Sequence, residues 1–134
     1  MPINPYSMEA PHLSEALSRR VDQWHDAMRW QRMVDQALRP RGITHSQFLL
    51  LHGAAQALEE RQDAVSLGDI EDAANLDHAT TVLLVRKLDA RGYFDKGPHG
   101  LDARKYRIRM THEGHVRLCQ ATIAVERVAT DFGQ

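Results

Sequence analysis

Apolar residues recur at helical spacing along most of this chain and alternate with polar ones in one short stretch. From Leu13 to Leu38, the positions Leu17, Val21, Trp24, Met28, Gln31, Asp35 and Leu38 step by four and three, which predicts one long helix. Trp30, Met33, Val34 and Ala37 widen its apolar surface, more than packing on one small domain uses, so part of it suggests a subunit interface. Pro40-Arg41-Gly42 ends that helix. Thr44 and Gln47 then form a capping-box pair, with Ile43 and Phe48 as the hydrophobic staple around it. They open a helix running to about Arg61, with Phe48, Leu51, Ala55 and Leu58 along one face. Ser66 caps a short helix, Leu67 to Asn75, whose staple is Val65 with Ile70 and whose apolar side is Leu67, Ile70 and Ala74.

The next stretch is the sharpest. Asp77 is an N-cap type residue, and Gly92 sits where a helix ends in a left-handed residue. Between them Thr81, Leu84, Val85 and Leu88 recur on an inward face, leaving His78, Ala79, Val82, Leu83 and Arg86 on the other. Two short helices joined by a few residues, the second polar and basic outside, form a helix-turn-helix pattern. Tyr93 to Lys96 is a strand candidate, followed by a turn-rich loop through Arg104. Tyr106, Ile108 and Met110 alternate with Arg107 and Arg109, a half-buried strand with a basic outer side. That hairpin makes the unit a winged helix. Thr111 caps a last helix, His112 to about Phe132, with Leu118, Ala121, Val125, Val128 and Phe132 at four-three spacing and Val116, Cys119 and Ile123 beside them. The predicted class is mainly α with a small β-hairpin wing, a winged helix-turn-helix.

The chain's 134 residues suit one domain, residues 13–134, preceded by a proline-rich arm at residues 1–12. With 43% hydrophobic and 26% charged residues, the composition is that of a globular chain rather than a disordered one. No apolar run approaches the roughly 20 residues that span a bilayer, and the first residues lack a signal peptide's basic start and apolar run. One cysteine excludes an intrachain disulfide, so a cytoplasmic location is expected. A net charge of −1 argues against general polyanion binding. Its distribution changes that picture: residues 78–111 hold eight Lys/Arg against three Asp, a local balance of +5. A basic segment in a neutral protein is the footprint of a localised phosphate contact, although a solvated charged face reads the same way on charge alone.

From Leu38 to Gly114 the chain resembles the MarR family of bacterial transcription regulators. The resemblance lies in Gly42-Ile43-Thr44 with Gln47, Leu50 and Leu51, in Ser66-Leu67-Gly68-Asp69-Ile70, and in Leu76-Asp77 with Thr80. It continues through Leu84-Val85, Leu88 and Gly92, and it is most specific at Asp102, Arg104, Ile108, Met110-Thr111 and Gly114. The resemblance implies a homodimer whose interface is formed by the helices at residues 13–38 and 112–134. It also implies a winged-helix core at residues 44–111 in each subunit. Such a dimer would bind a pseudo-palindromic operator in double-stranded DNA, usually as a repressor relieved by a small, often aromatic, ligand. Three positions depart from the pattern. Val82 and Leu83 stand where members commonly carry Ser/Thr and Arg, and Ala103 where many carry another Arg. Members usually add a short helix after the last long one; here the sequence ends at Gln134, which would leave the interface smaller or closed by the arm.

Physical roles follow for a DNA reader. Thr80, Arg86, Lys105 and Arg107 are phosphate candidates, and His78 can read a base edge. Val82 and Leu83, beside Ala79, can contact only thymine methyl groups. Arg104 is the minor-groove candidate, with Asp102 orienting it within the wing. A different reading of the same two aliphatics is a winged helix that docks a protein through its Val82/Leu83 face instead of DNA. A ligand pocket between the long helices and the winged helix would draw on Trp24, Met28, Trp30, Phe48 and His52, each of which serves equally as core. His112 and His115, with His45 opening an earlier helix, invite a metal reading. But His112-Glu113-Gly114-His115 is one residue short of a zinc-protease motif and no paired cysteine exists, so no metal and no cofactor are expected. Cys119 lies among apolar positions and is expected to be a buried, inert thiol. With no Gly-rich phosphate loop, nucleophile elbow or spaced metal ligands, an enzyme is not expected.

Overall fold

The computed structural model describes residues 2–62, 64–95 and 107–132. Its elements are α1 (Glu15–Leu38), a 3-10 turn (Arg39–Arg41), α2 (His45–Arg61), α3 (Leu67–Ala74), α4 (His78–Ala90), β1 (Phe94–Asp95), β2 (Arg109–Met110) and α5 (His112–Phe132). This is a winged helix-turn-helix carried between two long helices.

Each helix begins where a short polar side chain can take an otherwise orphaned amide. Ser14 Oγ accepts from the Leu17 N–H at 3.1 Å, so α1 starts two residues later than the apolar pattern alone indicates. Thr44 and Gln47 complete a reciprocal capping box on α2, and Ser66 and Asp69 complete another on α3. Thr111 Oγ1 accepts from the Gly114 N–H at 3.1 Å and donates to the Gly92 carbonyl at 2.6 Å, tying the start of α5 to the end of α4.

The core forms around α2. Sequence periodicity shows only one apolar face there; in the structure Leu50, Leu51, Gly53, Ala54 and Ala57 are all buried. The reason is position: α2 packs against α1, α3, α4, α5 and β2, so it is covered on several sides. Side chains of Leu38, Ile70, Val85, Leu88 and Ile108 complete that core with no exposed surface. Full burial of each such side chain stabilises the fold by roughly 1.5–3 kcal/mol.

Gly114 marks the tightest approach. A Cβ there would lie 2.3 Å from the Tyr93 carbonyl oxygen, so only glycine lets α5 seat against the chain entering β1.

The hairpin pairs Phe94 with Met110 and Asp95 with Arg109, antiparallel. Val65, which the pattern marks only as a staple residue, also bridges Ile108, with N–H to O distances of 3.0 and 2.8 Å. The wing is thereby anchored to the segment that enters α3. Asp102, Arg104 and Lys105, together with Lys96, Ala103 and Tyr106, lie outside the described residues. Among the described residues no helix is long and apolar enough to cross a membrane.

Tyr93, buried at this junction, is held by two arginines. Arg91 lies over its ring at 5.0 Å and donates to the Gly42 carbonyl at 2.6 Å. Arg117, on α5, donates to the Tyr93 hydroxyl at 3.1 Å and to the Arg41 carbonyl at 3.4 Å.

Candidate nucleic-acid interface

The turn between α3 and α4 is set by three residues. Asn75 takes φ 55°, and both its N–H and that of Leu76 go to the Glu71 carbonyl. Asp77 then caps α4 by accepting from the Thr80 N–H at 2.7 Å. The Thr80 backbone and side-chain hydrogen bonds hold the Asp77 carboxyl below its ordinary range, opposed by slight desolvation and helped by His78 when that ring is protonated.

The inward face of α4 is the one the pattern predicts: Thr81, Leu84, Val85 and Leu88 are buried. Thr81 is polar, but its hydroxyl donates to the Asp77 carbonyl at 2.8 Å, so it is satisfied in the core. On the outer face His78, Ala79, Leu83 and Arg86 are exposed, and Thr80 is half-buried. Val82 departs from expectation. It is half-buried and packs against the core, which leaves Leu83, 53% exposed, as the one large outward aliphatic of α4. Arg107 is exposed beside the buried Ile108 and engaged in interactions of its own. Lys87, not among the expected contacts, is also exposed along α4. Glu71 is a second residue that sequence spacing conceals: its carboxylate meets His78 Nδ1 across the turn.

An open cavity of about 620 Å³ lies where the end of α1, the start of α2 and the flank of α4 meet. Asp35, Arg39, His45, Ser46, Leu84 and Lys87 are among its walls. Asp35 reaches from α1 to α2: Oδ1 accepts from the His45 N–H at 2.8 Å, and His45 Nδ1 stands 3.2 Å from Oδ2. The Ser46 hydroxyl is 3.2 Å from His45 Nε2. None of the five residues expected to line a pocket borders this one. Trp24 and Met28 are 62% and 53% exposed on α1. Trp30 packs edge-on against Phe132 at 5.4 Å, and Phe48 stacks with His52 at 6.1 Å. Wide spacing on two helices cannot tell an aromatic that faces a cavity from one that faces solvent.

Cys119 also departs from expectation. It is exposed, with Sγ 3.6 Å from His115 Nε2, because it turns away from the buried Leu118 and Ala121 on α5. Among the described residues no group of three His, Cys, Asp or Glu side chains is placed to hold a metal ion.

No protein-family model matches the chain, and no curated protein matches it. Solved structures do. BpsR of Bordetella bronchiseptica, whose DNA binding is regulated by 6-hydroxynicotinic acid, is 22% identical, with 92% of this chain and 84% of that one covered and a TM-score of 0.71. A MarR-family transcriptional regulator from a Rhodococcus species is 23% identical, covering 89% and 82%, with a TM-score of 0.72. CouR of Rhodococcus jostii, solved with p-coumaroyl-CoA bound, is 25% identical, covering 85% and 78%, with a TM-score of 0.67. The chain therefore has the winged helix-turn-helix fold of MarR-family transcriptional regulators.

Proposed function

We propose that the protein is a homodimeric, ligand-responsive DNA-binding transcription regulator of the MarR kind, acting as a repressor at a pseudo-palindromic operator. The observation that carries this reading is the division of α4. One face is locked into the core, and the other presents His78, Ala79, Leu83 and Arg86 beside a basic segment. Such a helix fits the major groove, with Arg86, Thr80 and the wing's Lys105 and Arg107 on phosphates and Arg104 in the minor groove. An aliphatic Leu83 at the middle of the outer face of α4 puts more of the specificity on thymine methyls and DNA shape.

Dimerisation is supported by the apolar side chains that α1 and α5 leave in the open, Leu17, Trp24, Met28 and Ile123 among them. The cavity at the α1–α2–α4 junction supports ligand control. Its Arg39 and Lys87, beside the Asp35–His45 pair, suit a small acid, and Leu84 and Lys87 belong to α4 itself. A ligand there would favour a dimer geometry in which the two copies of α4 no longer match successive major grooves. Aromatic acids and their conjugates, the ligand chemistry of BpsR and CouR, are the first class to test.

The protein-docking reading is weakened by Val82 lying half-buried against the core, since one exposed leucine needs no special explanation. Selection of bound duplexes from a random pool, followed by salt titration, tests the DNA reading. A preferred duplex bound on the order of 10³-fold tighter than random sequence, with affinity falling steeply with salt, is the expected result. Equal binding of all duplexes at low salt would end it.

A further inference from the structure

Glu71 and His78 are seven residues apart and belong to different helices, yet the Glu71 carboxylate meets His78 Nδ1 across the turn. Glu71 is unusually well fixed for this. Its carbonyl takes the N–H groups of both Asn75 and Leu76, and its side chain is only 22% exposed. His78 opens α4 with its side chain 66% exposed. An ionised carboxylate only accepts hydrogen bonds, so the Nδ1 it meets must carry the proton. In a neutral imidazole the other nitrogen, Nε2, then holds a bare lone pair. Asp77 adds a second carboxylate immediately before the ring. Two flanking negative charges disfavour a phosphate as the group His78 meets and leave a base edge. In the major groove an acceptor is satisfied by the amino groups of adenine N6 or cytosine N4, and opposed by guanine O6 and N7 or thymine O4.

We propose that Glu71 is a positioning residue for sequence readout: by fixing the His78 tautomer it makes Nε2 an acceptor that selects an amino-bearing base, adenine or cytosine, at one step of each half-site. This rests on the DNA-binding reading, and it adds a residue that never touches DNA.

The test has two arms on the full-length chain. Long-range proton–nitrogen correlation spectra of the histidine rings, with His78 assigned by His78→Asn, give the tautomer directly. The wild type shows Nδ1 protonated and Nε2 bare; Glu71→Ala moves the ring towards the Nε2-protonated form. In the binding arm, each base pair of the preferred duplex is replaced in turn. One position discriminates about tenfold for adenine or cytosine over guanine or thymine, about the worth of one base-edge contact. That ratio collapses in His78→Ala and falls to about twofold in Glu71→Ala, with affinity for random duplex little changed. Glu71→Gln, nearly isosteric and still able to accept from Nδ1–H, keeps part of it, which separates positioning from loss of fold. A His78 ring protonated on Nε2, or on both nitrogens, in the wild type at the assay pH overturns the proposal. So does full discrimination in Glu71→Ala, or a preference for guanine or thymine at that position. A wild type with no preferred duplex removes the DNA reading and the proposal with it. A preferred duplex whose His78-dependent position is unmoved by Glu71→Ala removes the proposal alone.

Discussion

Helices α2, α3 and α4 bury their apolar side chains against one another, whereas α1 and α5 leave many of theirs in the open. Over 13 residues α4 buries four, and α2 buries five over 17. By contrast α1 buries only Val34 and Leu38 over 24 residues, both in its second half. Isolated helices are marginal in water and depend on packing an amphipathic face. Up to Met28, α1 has exposed Leu17, Trp24 and Met28 but no buried residue. The α2–α4 unit therefore carries its own reason to fold, while the long helices leave apolar surface uncovered, which the proposed dimer would bury.

Substitutions can break or sharpen this contrast. The largest effect belongs to Gly114→Val, which drives a side chain into the Tyr93 carbonyl 2.3 Å away and should cost about 4 kcal/mol or more, read from the urea midpoint. Leu88→Ala, at a side chain with no exposed surface, should lose about 3 kcal/mol in the same assay. Trp24→Ala should behave differently. Its expected loss, about 2 kcal/mol or about 30-fold in dimer dissociation by sedimentation, falls on association and leaves the spectrum of the folded core intact. An unchanged dissociation constant would mean that α1 is not part of the interface. Ser66→Ala removes the α3 capping box and should cost about 1 kcal/mol.

Asp77→Ala should be the smallest. Because the folded carboxyl titrates below the ordinary 3.8, Asp77 stabilises the protein above that value. The contribution disappears as pH falls from 3.8 through the lower folded value. Acid unfolding of Asp77→Ala should accordingly be less steep in that window than that of wild type, and identical profiles would contradict the assigned cap.

Local chemistry was readable ahead of the structure wherever it rests on neighbours in sequence. Thr44 with Gln47, Ser66, Asp77 and Thr111 each cap the helix their positions indicate, and the inward face of α4 is the predicted one. What escaped depends on distant partners. The second buried side of α2 exists because other helices surround it. Val82 turns out half-buried because neighbouring elements reach it, and Cys119 exposed because nothing among the described residues covers its side of α5. Asp35 meeting His45, and Glu71 meeting His78, join helices whose relative placement no periodicity records. The candidate cavity belongs to that same class, which is why aromatic spacing pointed to other residues.

Tyr93 and its two arginines have a mechanical consequence. Arg91 couples the end of α4 to the Gly42 corner, and Arg117 couples α5 to the Arg41 carbonyl of the same corner. Spinning α4 about its own axis would strip the charge-assisted hydrogen bond of Arg91 from the Gly42 carbonyl and pull on the Tyr93 hydroxyl that Arg117 holds. Carrying α4, the corner and the root of α5 together leaves every one of those bonds intact. The hydrogen bonds thus favour α4, the corner and the root of α5 moving as one piece. On the proposed DNA-binding reading, a small displacement where α1 meets α2 would reach the far end of α4 as a change of angle.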